Sequence, residues 1–180
     1  MSSPIQQRDT TLPLVLLDFD GVFNALGILM GMSSWDDGRN HHATMPSGTH
    51  GFSYSPTVAA FFTDNSHRAE FLWLSTWVEE TPAYGEAMEM PAFGWIGIDD
   101  LSDEPSAPWW KFTRIQELAE ANQNRRILWI DDEIPAHPQD PISIWLQENN
   151  HQVEHIRPDD LHGLQQGELD RIADFLNQSS

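Results

Sequence analysis

Short runs of consecutive apolar residues, each closed by polar or turn residues, alternate along this chain with stretches where apolar side chains recur every three or four positions. Leu12 to Leu17 is almost wholly apolar, and "EFLWLSTW" (70–77) and "RILWIDDE" (126–133) hold similar runs. Strands that are apolar on both faces belong in a parallel sheet covered on both sides. A further strand is predicted at "HQVEHI" (151–156). Pro56 opens a predicted helix with Val58, Ala59, Phe61 and Phe62 on its apolar side. From Ser106 to Asn122 the residues Trp109, Phe112, Ile115, Leu118 and Ala119 recur at helical spacing, with Ser106 as cap and Pro108 in the first turn. "ISIWLQEN" (142–149) predicts a short helix and "ELDRIADFL" (168–176) a closing amphipathic one.

Strand and helix alternating in this way predict an α/β fold, a Rossmann-like open parallel sheet flanked by helices. Two segments interrupt the alternation. Residues 25–55, rich in Gly, Ser, His and Asn, read as an irregular insertion, and within them "ATMPSGTHGFSYS" (43–55) predicts a β-hairpin flap. Residues 78–107 are rich in Pro, Gly, Glu and Asp, with a short strand expected at Phe93 to Ile98. No internal repeat or low-complexity segment occurs, and residues 1–180 are expected to form one domain.

Composition narrows the function classes. An apolar content of 39% with eight tryptophans is that of a globular protein. The formal charge of −19, from 28 acidic against 9 basic residues, repels polyanions. A broad nucleic-acid or anionic-membrane surface is therefore disfavoured, while a local phosphate site that recruits a divalent cation is compatible with it. There is no cysteine, which removes disulfides and thiolate metal sites. The opening "MSSPIQQRDTT" lacks the basic-then-apolar pattern of a signal peptide, and no apolar run reaches bilayer-spanning length. The expectation is a cytoplasmic protein with no membrane partner.

Candidate chemistry collects where the predicted strands end. Asp18 and Asp20 follow the first strand, Ser75 and Thr76 the second, and Asp131 and Asp132 the third. In open parallel sheets ligands bind at the carboxyl ends of the strands. Clustered carboxylates repel one another unless a cation sits among them, and oxygen ligands select a hard ion such as Mg²⁺. Such an ion also attracts a phosphate oxygen, and a carboxylate held against the phosphorus can attack it. A second carboxyl nearby can protonate the leaving alcohol and then activate water. Alternate residues at a strand end share a side, which suits this division between Asp18 and Asp20, and Gly21 permits a sharp turn directly afterwards. Lys111 stands at the start of the helix before the third strand and needs its length, or the placement of that helix, to reach the same edge.

Taken in order, Asp18-Phe19-Asp20-Gly21-Val22, Ser75 or Thr76, Lys111, and Asp131-Asp132 resemble the motifs of the haloacid dehalogenase (HAD) superfamily over about residues 12–133. "DFDGVFN", "WLSTW" and "WIDDE" look closer still to small, stand-alone HAD domains with no large cap domain, relatives of which are associated with RNA-repair proteins. The resemblance implies a Mg²⁺-dependent phosphatase acting through an aspartyl-phosphate. Asp18 would be the nucleophile and a metal ligand, and Asp20 the general acid/base, binding the metal through its backbone carbonyl. Ser75 would hydrogen-bond the phosphoryl oxygen, with Thr76 the competing assignment. Lys111 would stabilise the phosphate charge, Asp131 would complete the metal shell, and Asp132 would orient the metal or Lys111. The expected partner is a phosphorylated small molecule.

Other readings stand beside this one. "WIGIDD" ends in a rival pair, Asp99 and Asp100, but the pattern requires the lysine before the final acid pair. His41, His42 and His50 have no zinc-motif spacing and read as surface or flap residues. Trp73 and Trp129 read as core, and Trp35 and Trp77 as packing residues with substrate stacking the alternative. For the whole chain, the alternatives are a non-catalytic or regulatory binding module and a nucleic-acid end-processing phosphatase.

Overall fold

The computed structural model describes residues 12–27, 35–97 and 109–178. Its centre is a five-stranded sheet of β1 (Leu14–Leu17), β4 (Glu70–Trp73), β5 (Gly94–Trp95), β6 (Ile127–Ile130) and β7 (Val153–Ile156). The spatial order is β5-β4-β1-β6-β7, and every neighbouring pair is parallel. All four residues of β1 and of β6 are buried, as expected of central strands covered on both faces.

The period-two alternation of β1 sorts its side chains into two cores. Val15 and Leu17 face a cluster with Val58, Ala59 and Phe62 of helix α1 (Pro56–Asn65), Tyr84 of α2 (Thr81–Ala87), and Leu169, Ile172 and Phe175 of α5 (Gln166–Asn177). Leu14 and Leu16 face the opposite cluster, with Phe112 and Ile115 of α3 (Trp110–Ala121) and Leu146 of α4 (Pro141–Glu148). The result is three layers, an α/β sandwich with the parallel sheet in the middle.

Local chemistry sets the helix starts. The Ser55 hydroxyl accepts the Val58 amide at 3.2 Å and Pro56 takes the first turn of α1, while Asp140 accepts the Ile142 amide at 2.9 Å ahead of Pro141 in α4. Gln165 and Glu168 cap each other's backbone at the start of α5.

The hairpin is wider than the sequence suggests. Its strands β2 (Arg39–Met45) and β3 (Gly48–Tyr54) pair antiparallel around Pro46 and Ser47, so pairing begins four residues before Ala43. Ala43, Met45 and Phe52 bury one side of it against the α1–α2–α5 core. The segment 78–97 also contains more structure than its composition indicates, since a 3-10 turn at Val78–Glu80 leads into α2. Pro82 serves as a helix starter there, and Gly85 lets the helix lie on Trp73, whose ring would stand 3.3 Å from an added Cβ. Strand β5 falls within the expected 93–98 segment but is only two residues long. Ile98, the rival pair Asp99 and Asp100, and the helix-start residues Ser106 and Pro108 lie outside the described residues. Among the described residues no helix is long and apolar enough to cross a membrane.

Candidate active site

Strand register assembles the site. Leu17 stands level with Trp73 on one side and Ile130 on the other, so Asp18, Leu74 and Asp131 leave the sheet in the same row. Backbone bonds continue the ladder through that row: the Asp18 amide donates to Ile130 O at 3.0 Å, the Leu74 amide to Leu17 O at 2.7 Å, and the Asp131 amide to Ile156 O at 3.1 Å. Two carboxylates on adjacent strands are thus side by side at the carboxyl edge.

Lys111 lies between them. It is the second residue of α3, and its ammonium donates to Asp18 Oδ2 at 2.5 Å and to Asp131 Oδ2 at 2.9 Å. Lys111 and Asp131 are 0% exposed and Asp18 5%, so the three charges face one another without bulk water. Glu133 adds a looser contact to the ammonium at 3.8 Å, and the Trp109 ring lies 5.2 Å from it. The remaining carboxylate oxygens are fixed by backbone: Asp18 Oδ1 accepts the Phe19 amide at 2.7 Å and Asp131 Oδ1 the Glu133 amide at 2.9 Å.

Burial and crowding push these acids upward. Burial, then the charge of Asp18, raises Asp131 to about 8 against the pull of Lys111. The same two causes raise Asp132, which is half-buried, to about 6. Burial also raises Asp18, opposed by Lys111 and by hydrogen bonds from the Ser75 hydroxyl and the Phe19 amide. For Lys111 burial pulls downward, but Asp18 and Asp131 outweigh it and hold the ammonium charged.

One ammonium leaves three carboxylates under-compensated. Asp18, Asp131 and Asp132 each offer an oxygen, and these oxygens all lie within 4.8 Å of one another. An all-oxygen donor set with a surplus of negative charge fits a hard divalent cation such as Mg²⁺. Asp132 also borders an open cleft of about 500 Å³ lined by Glu133, Arg157, Pro158, Asp159 and Asp160.

The hydroxyl register separates Ser75 from Thr76. Ser75 is buried with its side chain on Asp18, whereas Thr76 is exposed. Asp20 stands apart from the three-carboxylate group. Its Oδ1 accepts Asn24 Nδ2 at 2.7 Å and its Oδ2 accepts Trp77 Nε1 at 2.8 Å. Between the two aspartates and these partners the chain makes a tight loop, with the amides of Val22, Phe23 and Asn24 converging on Phe19 O. Gly21 adopts φ +68° in this loop.

Of the residues expected at the site, Asp18, Ser75, Lys111, Asp131 and Asp132 converge, Asp20 sits in the adjoining loop, and Thr76 is exposed. Sequence reasoning did not single out Asn24 or assign Trp77 to Asp20. A polar residue four positions after Asp20 was the available signal for Asn24; Trp77 reads from the sequence as a packing or substrate-stacking residue, and nothing there pairs it with Asp20, 57 residues earlier. His41 and His42 are exposed on the hairpin, and among the described residues no histidine joins a metal-binding cluster. Trp35 donates to Leu164 O at 2.8 Å, a packing role, and Trp73 and Trp129 are buried core. No protein-family model, no curated protein and no solved structure matches this chain.

Proposed function

We propose that this chain is a HAD-like phosphatase, dependent on Mg²⁺ and working through an aspartyl-phosphate on Asp18. The observation that carries the reading is Lys111 bridging Asp18 and Asp131 at aligned strand ends, with the Ser75 hydroxyl on the same carboxylate. A buried carboxylate beside a fixed cation and a fixed donor is the arrangement an anionic phosphoryl group requires.

Asp18 attacks the phosphorus of a bound ester, and an O–P bond forms as the bond to the leaving oxygen breaks. Asp20, two residues further along the chain, gives its proton to that oxygen. The resulting carboxylate then takes a proton from water, whose oxygen attacks the phosphorus and releases Asp18. Lys111 and Ser75 hold the phosphoryl oxygens during both steps. Asp18, Asp131 and Asp132 would hold the Mg²⁺, with the backbone carbonyl of Asp20 as a further ligand. When bound, the ion neutralises charge on the phosphoryl group. The β2–β3 hairpin, docked by Ala43, Met45 and Phe52, acts as the small flap of such a domain. With a charge of −19 the expected substrate is a small phosphate ester.

The test is phosphate release from p-nitrophenyl phosphate with and without Mg²⁺, comparing the native chain with Asp18→Asn. Turnover that needs the metal and disappears in the variant supports the reading. Native-level turnover in Asp18→Asn would remove the covalent mechanism.

A further inference from the structure

Asp20 receives a hydrogen bond on each oxygen, and the two donors reach it from different parts of the chain. Asn24 belongs to its own loop, and its Oδ1 accepts the Ser53 amide of β3 at 3.0 Å. Trp77 comes from the end of β4, where the indole Nε1 donates at 2.8 Å. Tryptophan offers a single side-chain donor, so placing it on a carboxylate uses all of its hydrogen-bonding capacity.

The backbone after Trp77 shows what this placement requires. Val78 adopts φ +48°, a left-handed conformation that a β-branched residue avoids. Such a residue persists only where its surroundings over-determine it, at a cost of about 1–3 kcal/mol, and functional sites are where these residues concentrate. Here the surroundings are explicit. The Val78 amide donates to Ser75 O at 3.0 Å, and the Trp77 amide reaches Ser75 Oγ at 3.5 Å. The Trp77 ring is fixed edge-to-face by His50 of β3, with centroids 5.0 Å apart, and by Tyr84 of α2, at 5.4 Å. A strained turn therefore carries the indole from the strand that supplies Ser75 to the loop that supplies Asp20.

We propose that Trp77 is a positioning residue that aims the Asp20 carboxyl at the leaving-group oxygen, which ties the proton-transfer step to the strand end carrying Ser75. This inference rests on the phosphatase reading above. Each carboxyl oxygen has two lone pairs, so an indole N–H occupies one and leaves the other for the travelling proton. In the step concerned the P–O bond to the leaving group breaks, the electron pair stays on that oxygen, and the Asp20 proton moves onto it. An alkoxide needs that proton; a nitrophenolate leaves without it. General acid catalysis contributes about 10²–10⁴-fold where it is needed, so a misdirected acid penalises alkyl esters selectively.

The experiment compares kcat for an alkyl phosphate, glycerol phosphate, with kcat for p-nitrophenyl phosphate in the native chain and in Trp77→Phe. Phenylalanine keeps an aromatic ring against His50 and Tyr84 and deletes the donor. The expected result is that the alkyl-to-aryl ratio of kcat falls by about tenfold or more. A ratio that stays constant, with both rates lowered together or neither changed, overturns the positioning role. Should Trp77→Phe unfold, site-specific benzothienylalanine at position 77 replaces the N–H by sulfur at nearly constant shape, and the same ratio decides. A native chain that hydrolyses neither ester overturns the phosphatase reading itself, and the proposed role of Trp77 with it; a native chain active on both, with an unchanged ratio in the variant, overturns only the latter.

Discussion

A Cβ placed on Gly21 would stand 2.2 Å from Asp132 Cγ and 2.4 Å from its Oδ1. The loop after β1 therefore runs directly against the carboxylate that follows β6, and only a residue without a side chain permits both that approach and the φ of +68°. Gly21→Ala must strain the backbone and displace Asp132 together. Expected outcomes are a loss of more than about 1 kcal/mol in urea unfolding, and weaker divalent-cation binding by calorimetry. A variant with native stability and native cation affinity would show that the loop and Asp132 separate easily.

Among the described residues Lys111 is the only ammonium within reach of two buried carboxylates, and Lys111→Met removes it while keeping most of its volume. Breaking one side of a buried ion pair costs about 3–5 kcal/mol, because the partners are left as uncompensated charges. Stability in urea is expected to fall by that order, and phosphate release by at least about 10²-fold, as for loss of one oxyanion-stabilising group. Magnesium should recover part of the lost stability by supplying positive charge to Asp18 and Asp131. Denaturant midpoints with and without the ion measure this directly; a smaller magnesium effect in the variant than in the native chain would contradict it.

Much of this arrangement is legible in the sequence because it depends on strands. The runs ending at Leu17, Leu74 and Ile130 are apolar on both faces, and each is followed at once by polar residues, so a parallel sheet places Asp18, Ser75 and Asp131 on one edge. Other features depend on contacts that no local pattern carries. Helix α2 is hidden by Pro82 and Gly85, residues that usually punctuate turns, yet one starts the helix and the other accommodates Trp73. The difference between Ser75 and Thr76 is one of burial and contact, with the buried Ser75 hydroxyl on Asp18 and Thr76 exposed. The positive φ of Val78 and the Trp77–Asp20 bond arise from packing against β3 and α2, which the sequence of 75–78 alone does not encode.

The raised acids give a pH dependence with a definite sign. Asp131 at about 8 and Asp132 at about 6 hold protons in the folded chain that the unfolded chain, at the ordinary value of 3.8, has already released. The folded state binds more protons across that interval, so these groups favour folding below pH 4 and their contribution is lost as pH climbs. Metal-free stability is expected to decline from about pH 4 to pH 8 on their account. Under the proposed function magnesium would bind only the deprotonated carboxylates, so saturating ion should flatten the decline and its apparent affinity should rise over the same interval. Urea midpoints at half-unit pH steps, with and without the ion, test both. The contrast to look for is between Asp131→Asn and the native chain, since the variant should lose the upper part of the slope.

The hairpin tip offers a separate test of how firmly the flap is held. Glu80 accepts the Ser47 amide at 2.9 Å and the Ser47 hydroxyl at 2.7 Å, and the same hydroxyl lies 3.1 Å from His50 Nε2, next to Trp77. These bonds are exposed, so Glu80→Ala should change global stability by no more than about 1 kcal/mol. Their effect is instead local, because they hold the turn of β2–β3 to the 3-10 turn that carries Glu80. Local opening has its own free energy below the global one, and removing a clamp lowers it without unfolding the core. Amide hydrogen exchange is therefore expected to quicken across Arg39–Tyr54 in Glu80→Ala while β1 and β6 stay as protected as in the native chain. Uniform quickening in hairpin and core alike would mean that the clamp acts on global stability; no change in the hairpin would mean that its apolar side, through Ala43, Met45 and Phe52, holds it alone.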